Sequence, residues 1–254
     1  FKNITVIGSG LMGSAIAALF TNAGCKVNLL DIPSKNSKNR NFLADEALNK
    51  LSKTTPSPIT LKSNLRNINT GNIEDDLEVI NQSEWVIEAV LEDINIKKNI
   101  FKQIDTIMKD ELIISSNTST IPIKQLNEGR TKKFKNNFLI THFFNPPRYL
   151  RLLEIIISKE TNNEIIKTIK NFCDIYLGKN VIETKDTAGF IGNRIGIFWI
   201  ERSAVEAINQ NLTVEEADNI IMHTFKVPKT GVFGLLDVVG LDLVPAVINS
   251  LLSN

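Results

Sequence analysis

The stretch 5–31, TVIGSGLMGSAIAALFTNAGCKVNLLD, decides the fold. An apolar strand (Val6, Ile7) runs into Gly8-x-Gly10-x-x-Gly13. A helix-like apolar run follows from Ala15 to Ala23, and a second strand, Lys26–Leu30, ends on an acid, Asp31. Strand, glycine loop, helix, strand and acid in this order form the dinucleotide fingerprint of a doubly wound sheet. Each part has a physical reason. Gly8 allows the tight turn out of the strand. Gly10 has no Cβ, so a pyrophosphate can sit close to the backbone. Gly13 lets the helix pack closely on the sheet. Ser9, Leu11 and Met12 complete a loop whose N–H groups sit at the positive end of a helix dipole, ready for phosphate. Asp31 stands where a carboxylate accepts from both hydroxyls of a ribose and repels a 2′-phosphate, which favours NAD over NADP.

The composition bounds the rest. The chain has 254 residues and is 43% hydrophobic, enough for one large domain or a medium domain plus a smaller one. Its net charge is +1, from 29 basic and 28 acidic residues. No basic stripe with interleaved aromatics stands out, so nucleic acid is not expected as a partner. No apolar run reaches the ~20 residues of a membrane span, and the first residues do not read as a signal peptide. Cys25 and Cys173 lie far apart, lack metal-ligand spacing and read as small buried apolar residues. A cytoplasmic location is the default. The chain begins on Phe1 rather than Met with a strand almost at once, so the expectation is a cut from something longer.

Along the chain, Phe42–Leu51 has helical spacing and Thr54–Pro58 breaks it. Leu65–Ile68 reads as a short strand closed by a turn at Thr70-Gly71-Asn72, and Ile73–Asn81 as a short acidic helix. Trp85–Val90 reads as a buried strand, Ile94–Met108 as an amphipathic helix and Leu112–Ser115 as a strand. Phe138–Phe144 and Leu150–Ile157 are two further strands around Asn145-Pro146-Pro147. Glu164–Leu177 reads as a helix capped by Gly178, and Val181–Glu183 as a last strand. Strands alternating with helices imply a mainly parallel, doubly wound sheet. From about Thr187 helical spacing dominates, in Phe190–Asn209, Val214–His223 and Leu241–Leu252. The expected domains are therefore 1–186, an NAD-binding α/β unit, and 187–254, the start of a helical one.

A bound NAD needs a partner that handles a proton while hydride moves. His142 ends the apolar strand Phe138–Thr141 at a carboxyl edge, where doubly wound folds place ligands. Glu154 is an acid in the apolar stretch Leu152-Leu-Glu-Ile155, and a buried carboxylate is costly unless paired. If the two strands are neighbours, Glu154 can orient the imidazole.

Several blocks then make a resemblance specific. Ser115-Ser-Asn-Thr-Ser119, Thr141-His-Phe-Phe-Asn-Pro146, Leu152-Leu-Glu154 and Lys185-Asp-Thr-Ala-Gly-Phe-Ile-Gly-Asn-Arg194 closely resemble the L-3-hydroxyacyl-CoA dehydrogenase family in order and spacing. So do Gly8–Gly13 and Val86-Ile-Glu-Ala89 followed by Glu92 and Lys97. The resemblance runs from Val6 to about Asp242. It implies a Rossmann-type sheet followed by an all-helical domain, here incomplete at Asn254. It implies NAD-dependent oxidation of (S)-3-hydroxyacyl-CoA to 3-oxoacyl-CoA in fatty-acid β-oxidation. His142 then resembles the base and Glu154 its partner. Ser119 and Asn193 resemble the donors around the substrate, Asn145 a support of the site, and Glu92 and Lys97 contacts on the nicotinamide-ribose side of NAD.

The segment Asn145-Pro-Pro-Arg-Tyr-Leu-Arg-Leu-Leu-Glu154 looks like the version in long bacterial chains that fuse this dehydrogenase to an enoyl-CoA hydratase module. Arg148 and Arg151 are either CoA-phosphate contacts or surface, and Lys50 and Lys53 read better as a solvated helix face. A homodimer is a further possibility, since short relatives dimerise. Two rival functions remain open at this point: a dehydrogenase of another hydroxy acid on the same scaffold, and a non-catalytic NAD-binding or structural relative.

Overall fold

A computed structural model describes residues 1–226 and 230–241. Two compact units divide the chain, Phe1–Asp186 and Thr187–Asn254. The first carries eight strands: β1 (Asn3–Ile7), β2 (Lys26–Asp31), β3 (Ile68–Asn72), β4 (Trp85–Glu88), β5 (Ile113–Ser116), β6 (Phe138–Phe143), β7 (Leu152–Ile156) and β8 (Asn180–Thr184). They form one sheet in the order β3-β2-β1-β4-β5-β6-β7-β8. Neighbours run parallel except β6 and β7, which are antiparallel. The chain winds outward from β1 to β3, then returns to place β4 on the other side. The order reverses between β1 and β4, which makes their carboxyl ends the switch point where such sheets bind ligands.

The expected doubly wound, mainly parallel architecture is the observed one. Parallel strands are covered on both faces and so read as unbroken apolar runs. Ile4, Val6, Ile7, Val86, Ile87, Leu139 and Ile140 are all fully buried. Helices α1 (Leu11–Asn22), α2 (Phe42–Leu51), α3 (Ile94–Ile107), α4 (Ile123–Leu126), α5 (Lys132–Asn136) and α6 (Asn163–Ile175) supply the cover. Phe20 of α1 meets Trp85 of β4 edge-on at 5.1 Å between ring centroids. Trp85 satisfies its indole N–H on Ser115 Oγ at 2.9 Å. Cys25 and Cys173 are both buried free thiols, as their apolar reading expects. Burial pushes both thiols up from their ordinary value.

One stretch departs from expectation. Residues 62–67 form a 3₁₀ helix rather than a strand, and β3 begins at Ile68, running through Thr70-Gly71-Asn72 in place of the expected turn. Gly71 misled because its role is steric: a Cβ there would lie 2.7 Å from Asp76 Oδ2 and 2.8 Å from Leu30 Cδ2. The glycine lets β3 pair closely with β2 and lets Asp76 accept from Asn72 N at 2.8 Å. The acidic helix expected over 73–81 is a shorter 3₁₀ turn, Leu77–Gln82.

The second unit is helical in its described part: α7 (Gly192–Asn209), α8 (Val214–Phe225) and α9 (Phe233–Val239). Thr213 and Glu216 close a capping box at the start of α8. Asp218 accepts from the backbone N–H groups of Val232, Phe233 and Gly234 and so caps α9. The helix expected over Leu241–Leu252 lies, but for Leu241, outside the described residues.

Candidate active site

The glycine loop fits a dinucleotide on steric grounds. Gly8 leaves β1 with φ +101°, and a Cβ there would stand 2.5 Å from Ala89 O at the end of β4. A Cβ on Gly13 would lie 1.8 Å from Gly8 O, so helix and loop are in backbone contact. Gly10 differs: a Cβ there would meet nothing within 4 Å. That open space lies at the N-cap of α1, where no side chain caps the free N–H groups. An uncapped helix start facing an open cradle is an anion site. Asp31, at the carboxyl end of β2, is tied to this loop. Its Oδ2 accepts from Ser9 N (2.6 Å) and Ser9 Oγ (2.5 Å), and its Oδ1 from Ile32 N (2.7 Å).

A cleft of about 650 Å³ opens from this loop. Ser9, Gly10, Leu11 and Asp31 line one end, α2 with Lys50 lines a flank, and Asn145, Arg148 and Tyr149 lie at the other rim. Lys50 pairs with Glu46 one turn back (3.2 Å) on an exposed face, as its solvated reading expects. Arg148 is neither free surface nor open to a ligand on its whole fork: its Nη1 donates to Ser57 O (2.6 Å) and Ile59 O (3.2 Å). Tyr149 Oη also donates to Ser57 O (2.9 Å). These bonds tie the segment after β6 to the loop after α2. Arg151 Nε donates to Gly178 O (3.3 Å). Lys179, buried, donates to Pro147 O and Leu150 O from below. Burial lowers its ammonium to about 8, with the nearby Cys173 acting weakly the other way.

His142 and Glu154 are brought together. Their strands are neighbours, and the two residues face each other directly in the antiparallel register. Directly opposed residues project to the same face. His142 Nδ1 lies 2.8 Å from Glu154 Oε2, with the side chains only 5% and 1% exposed. On the other side, His142 Nε2 lies 3.0 Å from Ser119 Oγ. Carboxylate, imidazole and hydroxyl thus stand in one line. With a proton on Nδ1 held by Glu154, Nε2 can accept a proton from a hydroxyl group.

Ser119 sits in the turn after β5, and that turn is held by Glu92. Glu92 Oε1 accepts from Thr118 Oγ1 (2.5 Å), Ser119 N (2.9 Å), Thr120 N (3.0 Å) and Thr120 Oγ1 (3.0 Å). Its Oε2 lies 3.2 Å from Lys97 Nζ. Burial pushes the Glu92 carboxyl up, but Lys97 and the hydroxyl and amide donors outweigh it. The net position is below the ordinary carboxylate range. Lys97, on the first turn of α3, is itself buried and also pairs with Glu88 at 2.7 Å. Asn145 is exposed at the cleft rim and joined to Pro146 by a cis peptide. Asn193 lies on α7, in the second unit. Glu88, Thr118 and Lys179 were given no role from sequence. Glu88 carried a usable signal, an acid inside the apolar strand Trp85–Val90, the same signal that marked Glu154. Among the described residues, no group of histidines, cysteines and acids could hold a metal ion. Among the described residues, no helix is long and apolar enough to cross a membrane either.

Comparison with known proteins gives the family. Residues 3–187 match the model of the 3-hydroxyacyl-CoA dehydrogenase NAD-binding domain, and residues 189–254 that of the C-terminal domain. The chain belongs to the 3-hydroxyacyl-CoA dehydrogenase family. A rat protein named mitochondrial hydroxyacyl-coenzyme A dehydrogenase is 31% identical over 255 residues, spanning 95% of this chain and 77% of that one. A Rickettsia felis protein carrying the name of a fatty acid oxidation complex trifunctional enzyme is 42% identical over 252 residues. That match takes in 99% of this chain but only 35% of the relative's length. The crystal structure of an (S)-3-hydroxybutyryl-CoA dehydrogenase from Ralstonia eutropha superposes with a TM-score of 0.83 at 26% identity. It covers 99% of this chain and 87% of that one. The matched domain is an NAD-binding one, so the cofactor is NAD, as expected.

Proposed function

We propose that the protein oxidises (S)-3-hydroxyacyl-CoA to 3-oxoacyl-CoA with NAD, as a step of fatty-acid β-oxidation. One observation supports this above the others. In a family that handles hydroxyacyl thioesters, an imidazole stands between a buried carboxylate and a hydroxyl, at 2.8 Å and 3.0 Å, at the carboxyl edge of the sheet. Bound NAD supplies the hydride acceptor. Gly8 to Gly13 cradle its pyrophosphate, Asp31 takes the adenosine ribose, and Glu92 and Lys97 lie on the nicotinamide side. His142 Nε2 accepts the proton of the substrate's 3-hydroxyl group as the base. Glu154 holds the imidazole in the tautomer in which Nε2 is the acceptor, and stabilises the imidazolium that forms. Ser119 and Asn193 donate to the substrate oxygens, and Asn145 supports the site.

The Rickettsia relatives are named as trifunctional enzymes, which supports a chain fused to further modules; an enoyl-CoA hydratase module and a cytoplasmic setting are part of the same proposal. A homodimer belongs to the same proposal. The test is steady-state turnover of acetoacetyl-CoA with NADH. His142→Gln is expected to lower kcat by about 10²–10⁴, the range for a lost general base, with NADH affinity nearly unchanged. Near-full turnover in that variant would refute the base. Oxidation of a free hydroxy acid in preference to its CoA thioester would move the protein to another substrate class on the same scaffold.

A further inference from the structure

Glu88 closes β4 with no exposed surface. Both of its oxygens feed the turn that carries Ser119. Oε1 accepts from Val90 N (2.8 Å) and from Lys97 Nζ (2.7 Å). Lys97 reaches on to Glu92 Oε2, and Glu92 Oε1 takes the four donors of residues 118–120. Oε2 accepts from Ser116 Oγ at 2.5 Å, and Ser116 Oγ in turn accepts from Thr118 N at 3.2 Å. The backbone joins in, since Asn117 N donates to Glu88 O at 2.7 Å. Two arms therefore leave one buried carboxylate and meet at Thr118, the longer one also holding Ser119 and Thr120.

Stability alone does not account for this arrangement. Burying a carboxylate and an ammonium against each other is often no better than an apolar pair of the same volume. What such a network does supply is geometric definition, because each member accepts only one arrangement of its neighbours. The turn at 117–120 belongs to no helix or strand. Its hydroxyl at Ser119 must nevertheless stand 3.0 Å from His142 Nε2.

We infer that Glu88 is a positioning residue, the buried anchor of two hydrogen-bonded arms that hold residues 118–120 and fix Ser119 Oγ opposite His142. This rests on the proposed reading that Ser119 and His142 carry the chemistry. Glu88 acts through Ser119 and touches neither substrate nor cofactor.

A double-mutant cycle on turnover tests it. Glu88→Gln keeps the volume but removes the charge that holds Lys97. It is expected to lower kcat by roughly 10- to 100-fold, the scale of a misplacement of about 1 Å in a site, with a smaller change in NADH affinity through Lys97. In a Ser119→Ala background the same substitution is expected to cost less than about twofold more, because coupled residues are not additive. Losses that multiply, wild-type turnover in Glu88→Gln, or a loss confined to NADH affinity would each overturn the positioning role and leave the site reading intact. Wild-type turnover in Ser119→Ala would overturn both. Should Glu88→Gln fail to fold, Ser116→Ala cuts the shorter arm alone and leaves Lys97 in place. It goes through the same cycle, and its loss of kcat is likewise expected to be absorbed in the Ser119→Ala background.

Discussion

Gly10→Ala separates the glycine loop's two duties, folding and binding. The backbone at Gly10 has φ −64° and ψ −170°, which alanine adopts readily, and a Cβ there would meet nothing within 4 Å. The folded protein therefore has room for the methyl group. Losing a glycine's freedom in the unfolded chain adds about 0.4–1 kcal/mol of stability. The methyl group would project into the space in front of α1's free N–H groups, where a pyrophosphate must approach. Holding the phosphate off one charge-assisted hydrogen bond costs about 1.5–3 kcal/mol. At 1.4 kcal/mol per decade, NADH should bind roughly 10- to 150-fold more weakly. Gly13→Ala is the counterpart. Its Cβ would overlap Gly8 O at 1.8 Å, backbone on backbone, so it should lower the melting temperature and binding together. NADH fluorescence titration and thermal unfolding on both variants read the two effects apart. If Gly10→Ala keeps wild-type NADH affinity, or melts like Gly13→Ala, the cradle assignment is wrong.

Asp31→Ser should narrow the preference for NADH over NADPH in kcat/KM, by removing acceptors for a ribose and the repulsion of a 2′-phosphate. Equal use of both cofactors by the unaltered protein would defeat that reasoning. Glu154→Gln keeps the shape at a site 1% exposed but removes the charge that stabilises an imidazolium. Replacing a charge-assisted bond by a neutral one, a difference of about 1–2 kcal/mol, should lower kcat roughly 5- to 30-fold while thermal stability holds. Turnover unchanged in that variant would detach Glu154 from the chemistry. Lys179 gives a pH prediction. Its folded value of about 8 lies below the ordinary 10.5, so between these the unfolded chain binds more protons. Stability from this group therefore rises with pH across that window. The unfolding free energy of the wild type relative to Lys179→Met should climb from pH 7.5 to 10, and a flat or falling difference would contradict the burial argument.

Much of this was legible in the chain because the signals were local. The fingerprint occupies 27 consecutive residues, 5–31, and Gly8 and Gly13 each have a nearby backbone partner that demands a glycine. Buried parallel strands announce themselves as apolar runs, and the acids Glu88 and Glu154 stand out against them. Gly71 shows where local reasoning fails. A glycine flanked by Thr70 and Asn72 has the chemistry of a turn, yet here it makes room for Asp76 and Leu30 across a strand pair. Nothing within the segment itself distinguishes the two. The network around Glu88 was hidden for a similar reason. Its members, Glu88, Glu92, Lys97, Ser116 and Thr118, come from β4, the loop before α3, α3 itself, β5 and the turn beyond it. Only the pairing of β4 with β5 brings them together. The link from Arg148 to Ser57 spans 91 residues and left no mark in either segment.

The antiparallel pair β6–β7 explains how chemistry that needs two strands fits at one edge of the sheet. The glycine loop follows β1, Asp31 ends β2, Glu88 ends β4, Ser119 follows β5 and His142 lies near the end of β6. Five parallel strands thus deliver their groups at the same carboxyl edge. A partner carboxylate on a sixth parallel strand would have to arrive at that strand's far end, after a full crossover. By reversing direction through residues 144–151, the chain instead brings Glu154 beside His142 only 12 positions later. The register then leaves no latitude. Side chains alternate faces along a strand, so a slip of one residue between β6 and β7 would turn Glu154 to the opposite face of the sheet. The bonds that pin this connection, Lys179 to Pro147 O and Leu150 O and Arg148 to the loop after α2, therefore act on the histidine–glutamate pair as well as on the cleft rim. The length of the connection, its anchoring and the 2.8 Å contact are one geometric requirement met by three groups of residues.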